Sequence, residues 1–265
     1  MPQSDSRLEI VIKYMQAHWP STVKSEWQVK IEEYPEIVKR VLEDFTIAAT
    51  KNHHLIRIAG LSGSGKTTQI LPAVEAYSKK HNFEPILIAA RRFVEYHPHY
   101  QEIKDFYGDE NLRKLTDEFS TIMLFLTLSE LIKGGYDIVL DVTLLAPEIE
   151  AVLLEMLASS TYQFTILMIA ISPTITEKFL EGRAWRHSRK TEQEFIRATE
   201  SALKYYAEES PETHIIIWSV YDLNPVYDGP IKDCLSVFHD YSTRTDPPKN
   251  DDDARRDAKI AYLTK

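Results

Sequence analysis

Short apolar runs alternate with longer amphipathic stretches along the chain. Five runs are nearly continuous in β-branched and other apolar residues, which is typical of strands buried on both faces of a sheet. These runs are His54–Ala59, Pro85–Ala90, Tyr136–Val142, Tyr162–Ile171 and His214–Val220. Helical spacing of apolar residues separates one run from the next. The alternation predicts an α/β fold with a mainly parallel, five-stranded sheet covered by helices on both faces.

Amphipathic stretches lie before and between these runs. Ser4–Trp19 is closed by Pro20, and Pro35–Lys51 opens with a proline at its first helical position. Each of the first four runs is also followed by helical periodicity. The corresponding helices are Thr67–Lys80, Asp105–Lys133, Pro147–Ser159 and Thr174–Tyr206. We expect Pro72 to bend the first of these, and Gly134 to end the second.

The stretch Gly60–Thr67 reads GLSGSGKT and fits the phosphate-binding pattern G-x-x-x-x-G-K-[ST]. It follows a predicted strand and opens a predicted helix, and this order argues against a glycine-rich turn that binds nothing. Glycine reaches positive φ without steric cost, so the backbone N–H groups can point at phosphates. We therefore expect the chain to bind ATP or GTP. The expected nucleotide-binding residues are Gly60, Ser62, Gly63, Ser64, Gly65, Lys66, Thr67 and Thr68.

Two polar positions around this loop predict catalysis with a metal ion. Lys66 is expected to reach the β- and γ-phosphates, while the Thr67 hydroxyl holds Mg²⁺. Asp141 ends the third apolar run, where a carboxylate is placed to hold the same ion directly or through water. The alternative for Asp141 is a helix cap or a solvated strand end.

A basic segment, Arg183–Lys190, reads RAWRHSRK in an otherwise acidic protein. Arg183 and Arg186 share one face at helical spacing. Phosphoryl transfer uses such groups because the transferring phosphoryl spreads negative charge over its oxygens. A solvated charged helix is the alternative, and the spacing alone leaves both open.

Composition limits the class of protein. The 265 residues are enough for one large α/β domain with a small appendage, and 43% of them are hydrophobic. The net charge of −9 disfavours general nucleic-acid binding, and no apolar run is long enough to predict a membrane partner. The single cysteine, Cys234, excludes an internal disulfide. We expect a cytoplasmic protein.

With these residues in place, the chain resembles the zeta toxin family of P-loop kinases from about Pro35 to Asp228. Phe93–Tyr100 (FVEYHPHY) is similar to the family's F-R-x-x-H-P-x-Y, and Gly135–Leu144 (GYDIVLDVTL) is similar to its G-Y-N-[VIL]₃-E-G-T-L. The pair Arg183 and Arg186, with a T-x-x-[ED]-F stretch after it, matches the family's transition-state arginines. We expect three segments: a helical extension at 1–33, a kinase domain at 34–240 and a polar, charged tail at 241–265. The tail is expected to be mobile, and a short helix over Ala254–Thr264 is the alternative.

The resemblance implies ATP-dependent phosphorylation of a hydroxyl of UDP-N-acetylglucosamine. It also implies a helical antitoxin as a partner, a part that residues 1–33 could play within the chain. Contacts to the small-molecule acceptor are expected from Arg91, Glu95, His97 and Thr143.

Three positions depart from the family pattern. Arg91 stands where the family has its catalytic aspartate, Val94 replaces an arginine, and Val142 replaces a glycine. Arginine cannot be deprotonated, so the general base of the family is missing. Glu95 or Asp141 could supply a base instead. The alternative is a nucleotide-binding regulator of the same fold without transfer activity.

Overall fold

Six strands form one sheet at the centre of the protein, in the order β2-β3-β1-β4-β5-β6. The structure is a computed structural model that describes residues 6–18, 23–179, 189–248 and 251–265. The strands are β1 (His54–Gly60), β2 (Ile86–Ile88), β3 (Ile138–Asp141), β4 (Gln163–Ala170), β5 (His214–Ser219) and β6 (Tyr227–Pro230). The first five pair in parallel, as their apolar runs predict.

The expectation of five strands is wrong by one, because β6 adds to the edge of the sheet. It pairs antiparallel with β5, placing Tyr227 opposite Ile217. β6 contains Gly229 and ends at Pro230, so it has no apolar run for sequence analysis to find. A proline is tolerated here because the strand lies at the edge of the sheet.

Eleven α-helices are found within the described residues. They are α1 (Ser6–His18), α2 (Tyr34–Phe45), α3 (Leu71–His81), α4 (Tyr100–Tyr107), α5 (Asp109–Leu115), α6 (Asp117–Lys133), α7 (Pro147–Ala158), α8 (Pro173–Phe179), α9 (Arg189–Glu209), α10 (Leu235–Ser242) and α11 (Asp252–Leu263). The single helix expected over Asp105–Lys133 is therefore three helices. Gly108, at φ 82°, separates α4 from α5, and Thr116 separates α5 from α6.

The helix after the phosphate-binding loop begins with a wide turn. Lys66–Ile70 forms a short π-helix, and α3 continues from Leu71. Pro72 lies in the first turn of α3, immediately after this wide turn. A π-helical turn interrupts the regular i to i−4 hydrogen bonding of the helix at the place where the proline follows.

The N-terminal helix packs onto the main domain. Val11 and Met15 of α1 are buried in the same apolar cluster as Val41 of α2 and Leu128 of α6. Burial of these side chains makes α1 part of the core, so its apolar face is explained by packing.

The C-terminal segment contains a helix, α11, close to the range Ala254–Thr264 that was the alternative to a mobile end. α11 packs against α3, and its Arg255 and Lys259 are buried. Tyr262 donates a hydrogen bond to Asp228, and the Lys80 ammonium bonds the carbonyl of Lys265 at 2.9 Å. Although this segment is rich in charged residues, it forms an amphipathic helix whose buried face carries two cations.

Within the described residues, no helix is both long and apolar enough to cross a membrane.

Candidate active site

The phosphate-binding loop leaves the end of β1 and curls around the ammonium of Lys66. Gly63 and Gly65 have φ angles of 77° and 100°, which L-residues with a side chain rarely adopt. The Lys66 Nζ donates to the carbonyl oxygens of Gly60 at 2.6 Å and Leu61 at 2.9 Å. Burial lowers the pKa of Lys66 to about 8, with Asp141 opposing this effect and Arg91 and Arg113 adding to it.

A cavity of about 510 Å³ opens over this loop, within the range of small-molecule sites. The loop lines it together with Asp141 and Thr143, and helices α5, α6, α8, α9 and α11 also contribute side chains. The side chains that matter for the chemistry are Lys66, Thr67, Arg91, Arg113, Asp117, Asp141, Thr143, Phe179, Phe195 and Asp252.

An ion pair joins two of the cavity residues expected from sequence. The Arg91 Nη1 atom lies 2.9 Å from Asp141 Oδ2. The Asp141 side chain is 6% exposed, whereas that of Arg91 is 44% exposed. The arginine therefore covers the carboxylate at the end of β3 and supplies a fixed positive charge to the centre of the cavity.

A carboxylate that the sequence analysis missed lines the same cavity. Asp117 is the first residue of α6, and no hydrogen bond from the described residues reaches its side chain. Burial raises the pKa of Asp117 to about 6, against the opposing effect of Arg113. A shifted carboxyl in a cleft is typical of acid–base chemistry. The sequence analysis placed Asp117 in the middle of one helix over Asp105–Lys133, so its position at the start of α6 could not be foreseen.

Residues 39–228 match the family model described as zeta toxin, which is most of the chain. The chain belongs to the zeta toxin family. The toxin PezT of Streptococcus pneumoniae serotype 4 is 24% identical over 128 residues, 48% of this chain and 49% of PezT. This chain thus spans about half the length of the curated relative that it matches.

The fold agrees with a solved structure of this family. A chain from the PezAT chromosomal toxin–antitoxin system of S. pneumoniae superposes with a TM-score of 0.66 at 18% identity. The match covers 91% of the present chain and all of the solved one. The protein therefore has the P-loop kinase fold of PezT, a mostly parallel sheet flanked by helices.

A buried network holds the loop after β3 in this zeta toxin family member. Arg57 of β1 pairs with Glu150 of α7, and its Nε and Nη2 donate to the carbonyls of Val142 at 3.1 Å and Thr143 at 2.6 Å. Glu150 in turn accepts the backbone N–H of Leu145 at 2.6 Å. The sequence analysis missed this network, although an arginine inside an apolar strand is a signal that could have predicted a buried ion pair. The network fixes the backbone that carries Asp141.

The structure brings most of the predicted nucleotide-binding residues to the cavity, with one exception. Gly60, Ser62, Gly63, Gly65, Lys66, Thr67 and Thr68 line it. The Ser64 side chain is buried instead, and a Cβ on Gly60 would come within 2.9 Å of its oxygen. Ser64 thus packs beneath the loop.

Two of the four predicted acceptor residues lie away from the cavity. Arg91 and Thr143 line it, but Glu95 is exposed on a 3₁₀ turn outside it. His97 is buried against Phe119, with ring centroids 4.6 Å apart, and its Nδ1 accepts the backbone N–H of His99. Burial lowers the pKa of His97 to about 4, so this ring is a neutral core residue.

The predicted transition-state residues, Arg183 and Arg186, lie outside the described residues, in the segment between α8 and α9. Phe179 before this segment and Phe195 after it both line the cavity. The assignment of the two arginines therefore stays a prediction.

The oxygen atoms around the loop fit a magnesium ion. Mg²⁺ in nucleotide sites takes one or two protein oxygens together with phosphate and water. Asp141 Oδ1 receives no hydrogen bond from the described residues, and Thr67 lines the same cavity. No group of three or more His, Cys, Asp or Glu residues that could hold a metal occurs in the described part of the chain.

Proposed function

We propose that the protein is a nucleoside triphosphate-dependent phosphotransferase that phosphorylates a hydroxyl of a small acceptor. The observation that carries the proposal is one cavity that joins the phosphate-binding loop to Asp141, Arg91 and Asp117. Membership of the zeta toxin family supports a kinase-type function. The acceptor proposed from the family resemblance is a nucleotide sugar, UDP-N-acetylglucosamine.

In this proposal, the loop holds the phosphates and Lys66 pairs with the β- and γ-phosphoryl oxygens. Thr67 and Asp141 would hold Mg²⁺, which neutralises charge on the phosphates when bound. Arg91 adds a fixed charge next to Asp141, while Arg183 and Arg186 stabilise the charge that develops on the transferring group. Catalysis then rests mainly on alignment and electrostatics.

Asp117 is the proposed general base. Glu95 lies outside the cavity and Asp141 is paired with Arg91, so the two bases considered from sequence are poorly placed. As the acceptor oxygen bonds to the γ-phosphorus, the bond from that phosphorus to the bridging oxygen breaks. The Asp117 carboxylate takes the hydroxyl proton, and the nucleoside diphosphate leaves. A pKa of about 6 suits this role near neutral pH.

The N-terminal helix also contributes to the cavity, close to residues of α6, the helix that begins at Asp117. Met15 of α1 lines it beside Leu124 and Phe125 of α6.

The solved relative belongs to a toxin–antitoxin system, so an antitoxin partner forms part of the proposal. Burial of Val11 and Met15 favours a packing role for α1 over a detachable inhibitor.

A nucleotide-binding regulator without transfer activity is the second candidate. The observation that favours it is the ion pair between Arg91 and Asp141. In this candidate, Arg91 stands at the position of the family's catalytic aspartate, and its guanidinium occupies the carboxylate proposed to hold the metal. Both candidates require nucleotide binding at the loop, and only the first requires turnover.

The test is a panel of nucleotide sugars, nucleosides and cofactors incubated with Mg²⁺ and ATP or GTP, with phosphorylated products detected by mass spectrometry. Lys66→Ala is the blank, and Lys79→Ala, an exposed lysine of α3, is the matched control. A product that needs Lys66 but not Lys79 supports the phosphotransferase. Tight nucleotide binding with no product on any acceptor supports the regulator.

A further inference from the structure

Helix α11 lies beyond the part of the chain that matches the family, yet it forms one wall of the nucleotide cavity. The family match ends at residue 228, and α11 runs from Asp252 to Leu263. It packs against α3 and against the π-helical turn that follows Lys66. Asp252 lines the cavity directly.

The orientation of Asp252 is fixed by the protein. Its Oδ1 accepts hydrogen bonds from Gln69 Nε2 at 3.0 Å and from Arg255 Nη2 at 2.5 Å. Its Oδ2 receives no hydrogen bond from the described residues, and the side chain is 65% exposed. One carboxylate oxygen is thus held in place while the other is available at the cavity as an acceptor.

Gln69 connects this wall to the phosphate-binding loop. Its Oε1 accepts from the buried Lys259 Nζ at 3.0 Å, which sets the direction of the amide. The Gln69 Nε2 lies 2.5 Å from where a Cβ on Gly65 would stand, so the amide packs against the loop. The buried Lys259 thus orients Gln69, and Gln69 holds Asp252 next to the phosphate-binding loop.

The strand order places this wall at the nucleoside end of the site. β3, which carries Asp141, lies on one side of β1, while β4 and β5 lie on the other. α11 is on the β5 side, because Arg255 donates to the carbonyl of Val220 and Lys259 lies 5.8 Å from the Trp218 ring. A triphosphate whose terminal group is at Asp141 therefore extends its nucleoside towards α11.

Aromatic rings flank the same end of the cavity. Phe179 and Phe195 both line it, and the guanidinium of Arg255 lies 5.9 Å from the Phe179 ring. Apolar ring surface beside a fixed polar acceptor is the composition of a base-binding site. The carboxylate accepts but cannot donate, so it suits the N–H edge of a base.

We propose that α11 completes the nucleotide site, and that Asp252 Oδ2 accepts a hydrogen bond from an N–H group of an amino-bearing purine base. This inference rests on the proposed function only in taking the loop as the phosphate site. It assigns base selection to a helix beyond the residues that match the family model. Adenine and guanine share the required chemistry, and the experiment separates them.

Asp252→Asn is the informative variant, because its amide oxygen can still accept from Gln69 and Arg255 while a donor replaces Oδ2. Affinities are measured by calorimetry on the full chain for ATP, GTP, purine riboside triphosphate and inorganic tripolyphosphate. Asp253→Asn is the matched control, because Asp253 is exposed and pairs with Arg256 at 2.8 Å.

The expected result is about tenfold weaker binding of one purine nucleotide to Asp252→Asn, with tripolyphosphate affinity unchanged within about twofold. The nucleotide that loses affinity identifies the base. Equal losses for that nucleotide and tripolyphosphate, or no loss for any nucleotide, would overturn the inference. Lys66→Ala separates the two proposals: if tripolyphosphate binding survives this substitution, the loop assignment and the proposed function fail instead.

Discussion

The guanidinium of Arg91 lies 2.9 Å from the carboxylate of Asp141, so a cation of the protein occupies one oxygen of the expected metal ligand. The family resemblance predicts that Arg91 stands at the position of the catalytic aspartate. On that prediction, one residue takes the place of a base and also adds a counterion to a second carboxylate.

Removing that counterion should strengthen magnesium binding. In Arg91→Gln, the Asp141 carboxylate loses a partly exposed ion pair worth up to about 1 kcal/mol, or roughly fivefold in affinity. We expect the Mg²⁺ concentration that half-saturates nucleotide binding to fall by about that factor. Arg92→Gln is the control, because Arg92 bonds the carbonyl of Leu87 instead. An unchanged magnesium dependence in Arg91→Gln would show that Asp141 does not hold the ion.

Asp117→Asn should remove the base without weakening nucleotide binding. General-base catalysis contributes about 10²- to 10⁴-fold, so kcat should fall by that much. The carboxyl must be ionised to accept a proton, so the kcat of the wild type should rise with pH through about 6. The pH–rate profile of the variant should lack this rise. The control is Glu118→Gln at the neighbouring position. If kcat of Asp117→Asn still rose with pH through about 6, another group would be the base.

Removing one partner of the Arg57–Glu150 pair should lower the free energy of unfolding more than replacing both partners with apolar residues. Glu150→Gln leaves the buried guanidinium without its counterion, which typically costs about 3–5 kcal/mol of the free energy of unfolding. In the double variant Arg57→Met, Glu150→Leu, much of this stability should return, while turnover stays low because Val142 and Thr143 lose their donor. Urea denaturation and kcat are the measurements. Additive destabilisation by the two substitutions would contradict the pairing.

His97 should make the protein acid-sensitive. Its pKa is about 4 in the folded protein and about 6.5 when unfolded, so the unfolded state binds more protons between these values. Stability is therefore retained above about pH 6.5 and lost as pH falls, by about 2 kcal/mol between about pH 7 and about pH 4.5. Neighbouring His99, Glu102 and Glu33 face the ring and modulate the shift.

The comparison for this prediction is His97→Asn, whose side-chain oxygen can take the place of Nδ1 as acceptor from His99. This variant should lose less stability on acidification than the wild type, as measured by denaturation at the two pH values. The control is His99→Asn. If His97→Asn and the wild type had the same pH dependence, another group would be responsible.

The parallel sheet and the phosphate loop could be predicted because both depend on local sequence. Each buried strand needs an apolar run, and the loop needs glycines at positive φ, as at Gly63 and Gly65. β6 was not predicted, and a helix at α11 was only the alternative to a mobile tail, for the opposite reason. Their stability comes from pairing and packing partners far away in sequence, such as Ile217 for β6 and Gln69 for α11.

The acceptor half of the site was harder to predict for a related reason. Glu95 and His97 follow β2 closely in sequence, but the 3₁₀ turn over Ala90–Tyr96 carries the chain away from the cavity. Asp117 reaches the cavity because α6 begins there after the break at Thr116. Proximity to a strand end does not decide which side chains face a site, because turn geometry intervenes.

The central claim is phosphoryl transfer from a nucleotide held at the loop, and ³¹P NMR of the complete reaction tests it most directly. With purified full-length chain, Mg²⁺, nucleotide and the acceptor panel, the account predicts one phosphomonoester signal for each nucleoside diphosphate released, absent with Lys66→Ala. Nucleotide bound at the loop but left intact with every acceptor would contradict it. So would diphosphate release that persists unchanged in Lys66→Ala.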